Sequence, residues 1–488
     1  MFTAQSVLEM VVRLFRLQAS QSKSFRINQL RENHKGYKTM PMNNRWMKLA
    51  CTWILLAQVS AAEPFGNTEP PDDARSNVTP EGISKQPKAI PQTRSETKKL
   101  LGALKERRPR LEIPDSVPGG SATTSNVING RARRYYLPES WLKGERLGSE
   151  TQSKVSYELK TQCFWIVSRG NNCHYCLGHQ EHKLKLAGFS DDQLGALDRD
   201  WESLQPRERL AVELARKMTL LPFAMSDQDT AKLKNHFSDE EIIDLVYSIS
   251  RFNSMNRWTD SMGLPQDEQM RGEDVEFDSP TDSKWDTGSS LVTASESIVR
   301  PKAWNWDESI AQLQASRTRS PRVELLGRDQ ASELMQMALV EVEPWHRVLA
   351  SLPGAGPELV KAWTDMLDDP ELASEIKLSL WWTTARYNRA SASLAMAYKL
   401  ATKRGISEKL MMDWTKESFE PVSDKAEGNQ VAIAFAKKLT CHPQQITDED
   451  IGLLRKHFSD RQTAQVIYTV AVCNAVDRWT ETLGVPGP

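Results

Sequence analysis

The hexapeptide Lys234-Asn-His-Phe-Ser-Asp returns 221 residues later as Arg455-Lys-His-Phe-Ser-Asp. At the same offset Asn253 meets Asn474, Arg257-Trp258-Thr259 meets Arg478-Trp479-Thr480, Gly263 meets Gly484 and Pro265 meets Pro486. Upstream the offset is 217, at which Glu158 meets Glu375, Lys160 meets Lys377, Trp165 meets Trp382, Arg169 meets Arg386 and Asn171 meets Asn388. Four extra residues therefore belong to the second copy, between its equivalents of Gly188 and Ala211. A pattern repeated over this length means one unit built twice, and that limits the architecture to two related domains.

Each copy reads as helical. In the first, Ser153 to Ser168 form a helical stretch that Arg169-Gly-Asn-Asn breaks; Asn172 is placed to N-cap the next helix and Gly188 to close it. Ser190-Asp-Asp-Gln and Ser238-Asp-Glu-Glu are capping boxes, and Pro206 suits a first helical turn. Leu210, Leu214 and Met218 share one face, as do Ile242, Leu245, Val246 and Ile249. No sustained two-residue alternation appears. The predicted class is all-α, with tandem helical domains at 135–265 and 331–488.

Composition explains the remainder. A chain of 488 residues exceeds one ordinary core, yet a mean hydropathy of −0.54 with 39% apolar residues is low for full packing. Residues 1–62 form an N-terminal extension in which Asn43-Asn-Arg-Trp-Met-Lys, the apolar run Leu49 to Val59 and Ser60-Ala-Ala make a secretory signal, at about 43–62, too short to span a bilayer. Its position points to Met40, Met42 or Met47 as the start; alternatively the first 39 residues are genuine and the run is an anchor or buried helix. The pattern predicts export, cleavage near Ala62 and no stable membrane span afterwards. Residues 63–134, rich in Pro, Ser, Thr, Gly and charge, read as a disordered spacer, with Lys105-Glu-Arg-Arg-Pro-Arg as solvated linker charge and a weak docking or anionic-surface role as the lesser alternative. Residues 266–330 read as a linker with one short helix around Trp304 to Leu313. A net charge of −1 gives no reason to expect nucleic-acid binding.

The cysteines left after signal removal, Cys163, Cys173, Cys176, Cys441 and Cys473, contain one tight pair and do not resemble a disulfide scaffold. Cys173 and Cys176 sit at the first turn of a predicted helix, where unpaired N–H groups and the helix dipole favour a thiolate. Three residues apart, they are neighbours, so a sulfenic acid on one is within reach of the other. His179 follows one turn on as a proton acceptor, and His182 faces solvent beside Glu181 and Lys183. Zinc is the rival reading of Cys173, Cys176, His179 and His182, but steps of about 300° fan these side chains round half a helix, and they cannot converge on one tetrahedral ion. No metal or other cofactor is expected. At the 217 offset the four positions become Ala390, Ser393, Met396 and Lys399, so the second copy keeps the scaffold and lacks the reactive groups.

The stretch Ser168-Arg-Gly-Asn-Asn-Cys-His-Tyr-Cys-Leu-Gly-His, with Gly188 and the later Asn256-Arg-Trp-Thr-Asp-Ser-Met-Gly-Leu-Pro, resembles the alkylhydroperoxidase D and carboxymuconolactone decarboxylase superfamily over roughly residues 150–265, with a degenerate echo in 370–488. The resemblance implies an all-helical fold that assembles into trimers or hexamers. It also implies that Cys176 attacks a hydroperoxide, that Cys173 resolves it, and that a histidine and a glutamate relay protons. The nearest equivalents of that relay are His179 and Glu158. The family histidine position is Gln180 here, the family glutamate position is Thr161, and Glu158 recurs as Glu375 in the copy without cysteines.

The expectation is thus a thiol-dependent peroxidase or dithiol oxidoreductase acting on hydroperoxides with an unknown dithiol reductant, either homo-oligomeric or a pseudo-symmetric assembly of its two repeats. The alternatives are a non-catalytic binding or structural module on the same fold, and decarboxylase-like chemistry that dispenses with the cysteines.

Overall fold

Eighteen α-helices and no strand occur among the described residues, so the chain is all-α. The computed structural model describes residues 88–103, 107–117, 127–142, 153–267, 284–293, 298–352, 355–416 and 424–488. The predicted signal at about 43–62 and the candidate start methionines lie outside them. The first copy contains α1 (Arg94–Ala103), α2 (Ile128–Tyr136), α3 (Tyr157–Gly170), α4 (His174–Leu186), α5 (Asp191–Arg199), α6 (Pro206–Leu220), α7 (Asp227–Leu233) and α8 (Asp239–Ser261). The second contains α9 (Trp306–Arg317), α10 (Arg328–Met335), α11 (Pro344–Ala350), α12 (Gly356–Asp368), α13 (Ser374–Asn388), α14 (Ser391–Lys403), α15 (Glu408–Asp413), α16 (Asp424–Cys441), α17 (Asp448–His457) and α18 (Asp460–Thr482).

Six helices of the first copy, α3 to α8, correspond in order to α13 to α18 of the second. Both α4 and α14 have 13 residues, and both α8 and α18 have 23. Ser190 with Gln193 and Ser238 with Glu241 form the predicted capping boxes, and Pro206 opens α6. Gly188, at φ 98°, follows the last turn of α4. The predicted cap at Asn172 is corrected: Cys173 is the N-cap of α4, and Asn172 takes the left-handed conformation at φ 54°. The chain reverses from α3 into α4 within three residues, which needs one residue there, and asparagine tolerates it. The second copy makes the same turn with Arg389 at φ 53°.

The central helices α8 and α18 pack against each other along the seam between copies, burying Ile242, Leu245, Val246 and Ile249 on one side and Val466, Ile467 and Val470 on the other. Arg257 donates across the seam to the Thr440 carbonyl at 3.4 Å, and Arg478 donates back to the Thr219 carbonyl at 3.4 Å. Such reciprocity is the mark of an isologous, two-fold arrangement, here within one chain. No described helix is long and apolar enough to cross a membrane.

Two expectations about connecting segments are corrected. Residues 88–103, 107–117 and 127–134 of the supposed spacer are ordered, because they carry side chains whose partners lie in the helical domain. Arg94 on α1 pairs with buried Glu181 of α4, with Nη2 at 2.9 Å from Oε2, and Arg110 Nη1 donates to the Asp260 carbonyl at 2.7 Å. Arg107 to Arg110 of the basic cluster therefore belong to a docked arm. Its sequence recurs: Arg107-Arg-Pro-Arg-Leu-Glu returns as Arg319-Ser-Pro-Arg-Val-Glu at an offset of 212, and α1 and α9 start at that same offset. The supposed linker 266–330 likewise contributes packed structure. Its helix runs Trp306–Arg317, and Trp285 lies on Gly195, where an added Cβ would meet the indole at 2.3 Å.

Candidate functional site

The first turn of α4 places both thiols. Cys173 and Cys176 are 0% and 2% exposed, unpaired by disulfide, and both touch one hydroxyl: the sulfurs lie 3.3 and 3.1 Å from Thr259 Oγ1 on α8. That hydroxyl also donates to the Met255 carbonyl at 2.9 Å. With its only proton there, Thr259 accepts from both thiols; when Cys173 ionises, the hydroxyl and the Cys176 thiol are the donors able to turn to it. Thr480 makes the same helix bond in the second copy, to Val476 at 2.8 Å, so the threonine belongs to the shared scaffold and its service to sulfur belongs to the first copy alone.

A charge cluster centred on buried Asp260 lies beside Cys173. Lys88, from the docked arm, contacts Asp260 Oδ1 and donates to the Asn172 carbonyl at 2.9 Å. Arg107 reaches Asp260 Oδ1 at 3.3 Å. Burial alone would raise the Asp260 carboxyl; Lys88, Arg107 and Arg110 hold it down at about 2. Burial likewise opposes ionisation of Cys173, and the Cys176 thiol, Lys88 and Thr259 overcome it, so its pKa falls below the ordinary thiol value. Burial and the neighbouring Cys173 push Cys176 well up. Of the two, Cys173 is therefore the thiol more readily ionised, the reverse of the order that the family resemblance implies.

The histidines stand around this pair. His174 Nε2 lies 2.8 Å from Asn172 Oδ1, while Asn172 Nδ2 is spent on the Ala89 carbonyl at 3.1 Å. Burial, then Lys88, lower the His174 imidazole to about 3, so it is neutral and carries its proton on Nε2. His179 is not turned to the sulfurs. Its Nδ1 faces the Tyr175 carbonyl and its Nε2 faces Asp267 Oδ2, both at 2.9 Å. Asp267 also accepts from Tyr175 Oη at 2.8 Å and from the Ile128 amide at 2.7 Å. His182 is half-buried on α4.

Glu158 is placed away from the site. It is exposed in the first turn of α3, whereas the thiols follow the last turn, roughly 18 Å along the axis at 1.5 Å per residue. Neighbouring Tyr157 instead faces Lys183, near the far end of α4. The residue at the family glutamate position, Thr161, is buried and donates to the Tyr157 carbonyl at 2.7 Å.

Sequence reasoning missed Thr259, Asp260, Lys88, Arg107 and Asp267. For Asp260 the signal existed: it is unmatched between copies, with Glu481 as its equivalent. Lys88 and Arg107 were findable through the 212-residue offset, which pairs them with Arg300 and Arg319. Asp267 has no such signal, because only the fold brings it to His179.

In the second copy the equivalent pocket holds different chemistry. Ser393, in place of Cys176, lies 2.5 Å from Asp477 Oδ1 and accepts from Trp381 Nε1 at 2.8 Å; Asn388 donates to Asp477 Oδ2 at 2.8 Å. Burial raises the Asp477 carboxyl to about 7.

No family model matches the chain. Over 115 residues, 23% of this chain, it is 28% identical to the uncharacterized protein YdfG of Bacillus subtilis (strain 168), of which the match covers 78%.

Proposed function

We propose that the first repeat is a dithiol redox centre of the alkylhydroperoxidase D-like kind, which reduces hydroperoxides at the expense of a small dithiol. The observation that carries this reading is the pair of sulfurs held on one hydroxyl at a helix N-terminus, with a half-buried lysine beside Cys173. The Cys173 thiolate attacks the distal oxygen of ROOH, the O–O bond breaks, and Cys173 becomes a sulfenic acid. The departing alkoxide takes the Cys176 proton and leaves as ROH. The Cys176 thiolate then attacks the Cys173 sulfur, forming the disulfide and expelling hydroxide, which leaves as water. A dithiol reductant restores both thiols through a mixed disulfide and is itself oxidised to a disulfide. Export, read from residues 43–62, requires that this reductant be available outside the cytosol.

Steady-state hydroperoxide consumption with dihydrolipoamide or dithiothreitol, compared between wild type and Cys176→Ser, tests the reading; equal rates would sink it. Trapping the sulfenic acid in Cys176→Ser and Cys173→Ser identifies the attacking sulfur. Label on Cys173 in the first variant supports attack by Cys173, and label on Cys176 in the second supports the family order.

Three observations favour a second reading, a non-catalytic module on the same scaffold: the thiols are buried, His179 is committed to Asp267, and Glu158 is remote. Two inert thiols that titrate only above the ordinary range would support it.

A further inference from the structure

On the seam between the copies, beside Asn171 at the end of α3, lies a cavity of about 90 Å³, lined by Arg257, Arg300, Thr219, Thr440 and Cys441 among others. We propose that this cavity binds a small inorganic oxyanion, phosphate or sulfate, between the guanidinium groups of Arg257 and Arg300 with Arg478 behind them.

Charge is the first argument. Arg257 and Arg478 are 1% and 0% exposed, and neither they nor Arg300 forms a salt bridge with a carboxylate among the described residues. Arg257 Nη1 donates to Asn253 O at 3.1 Å, Arg478 Nη1 to Asn474 O at 2.8 Å, and Arg300 Nη2 to Asn388 Oδ1 at 3.0 Å. All three Nε atoms are buried and without a hydrogen-bond partner. The groups feel one another: after burial, Arg478 and Arg300 are what lower Arg257, and Arg300 is what lowers Arg478, to about 9. With no carboxylate in ion-pair contact among the described residues and only Asp477 and Cys441 opposing their mutual repulsion, these cations are costly to bury, and an anion in the cavity supplies the missing counter-charge.

Asymmetry is the second argument. The counterpart of Arg300 in the first copy is Lys88, which meets Asp260. Arg300 meets a neutral amide and the Cys441 thiol instead. The seam thus gains a cation where the symmetry-related position has a neutralised one. Size and shape agree with the occupant. At about 30 Å³ per water the space suits three waters or one tetrahedral oxyanion, and a planar guanidinium fork matches an oxyanion better than chloride.

The test uses the full-length chain in a zwitterionic buffer with chloride as the only other anion. Inorganic phosphate is titrated calorimetrically and in thermal melts against chloride at matched ionic strength. Saturable binding near one per chain, with a rise in Tm that chloride does not reproduce, is expected. Arg300→Met, outside the reciprocal Arg257 and Arg478 contacts, is expected to weaken phosphate binding at least tenfold. Should that variant not fold, Arg300→Lys keeps the charge without the fork and is expected to lose affinity several-fold. A phosphate response equal to that of chloride, or unchanged affinity in the folded variant, overturns the proposal.

Discussion

Thr259 holds its hydroxyl oxygen 3.1 Å from the Cys176 sulfur while donating one turn back along its own helix to Met255. The side chain therefore serves the thiols at no expense to the backbone ladder, and valine can replace it with nearly the same shape. Thr259→Val is expected to remove a donor from the Cys173 thiolate and raise its pKa. One unit would slow alkylation at neutral pH about tenfold, with folding stability changed by about 1 kcal/mol or less. The pH dependence of alkylation on freshly reduced protein checks this, and an unchanged profile would show that the pair is set without Thr259.

The arm is held over the site by a buried ion pair. Arg94 is 4% exposed and Glu181 0%, and Glu181 also accepts from Trp165 Nε1 at 3.3 Å. Removing only the cation strands a carboxylate, so Arg94→Met is expected to cost about 3–5 kcal/mol and to hasten thiol labelling as α1 loosens. Adding Glu181→Leu is expected to recover much of the stability. Denaturant melts of both variants decide the matter: a single substitution costing under about 1 kcal/mol would mean that the pair does not hold the arm.

His179 is a test of the relay that the resemblance implies. Burial would push Asp267 up, and the hydrogen bond and charge of His179 lead the groups that hold it below the usual carboxylate range. A depressed carboxyl adds stability above its unfolded pKa of about 3.9, lost as pH falls through the folded value. His179→Ala is thus expected to destabilise the protein by about 1–3 kcal/mol at neutral pH, with the difference closing at acid pH. Thiol alkylation is expected to stay within about twofold of wild type, because no sulfur is bonded to the imidazole. A large loss of peroxide turnover with little loss of stability would instead restore the relay.

What was legible in the sequence is what depends on local pattern. Capping at Ser190 and Ser238, the helix class and the paired copies all follow from residues a few positions apart, or from identical strings far apart. The thiols were legible for the same reason. What escaped was set by partners distant in the chain. A polar, charged stretch such as residues 88–103 and 107–110 reads as disordered because its own apolar content cannot fold it. Its order comes from carboxylates at Glu181 and Asp260, which lie in other helices. Direction was illegible too: His179 is one turn from Cys176, yet its Nε2 faces the carboxylate of Asp267, 88 residues on.

The degenerate copy carries its own measurable signature. Asp477 replaces Asn256 at the 221 offset and is fully buried against Ser393 and Asn388, with burial raising its carboxyl to about 7. Below about pH 4 the carboxyl is protonated in both folded and unfolded chains and costs nothing. Between about 4 and 7 only the folded chain keeps the proton, so stability falls as pH rises; above 7 the loss is complete, up to about 4 kcal/mol for a shift of three units. Asp477→Asn keeps the shape and an acceptor for Ser393 while removing the ionisation. The variant is expected to be more stable than wild type at pH 8, with the advantage shrinking towards pH 5. Urea melts across that range check it. Parallel curves for the two proteins would show that Asp477 does not titrate there, whereas a variant less stable at every pH would show that its hydrogen bonds outweigh its charge.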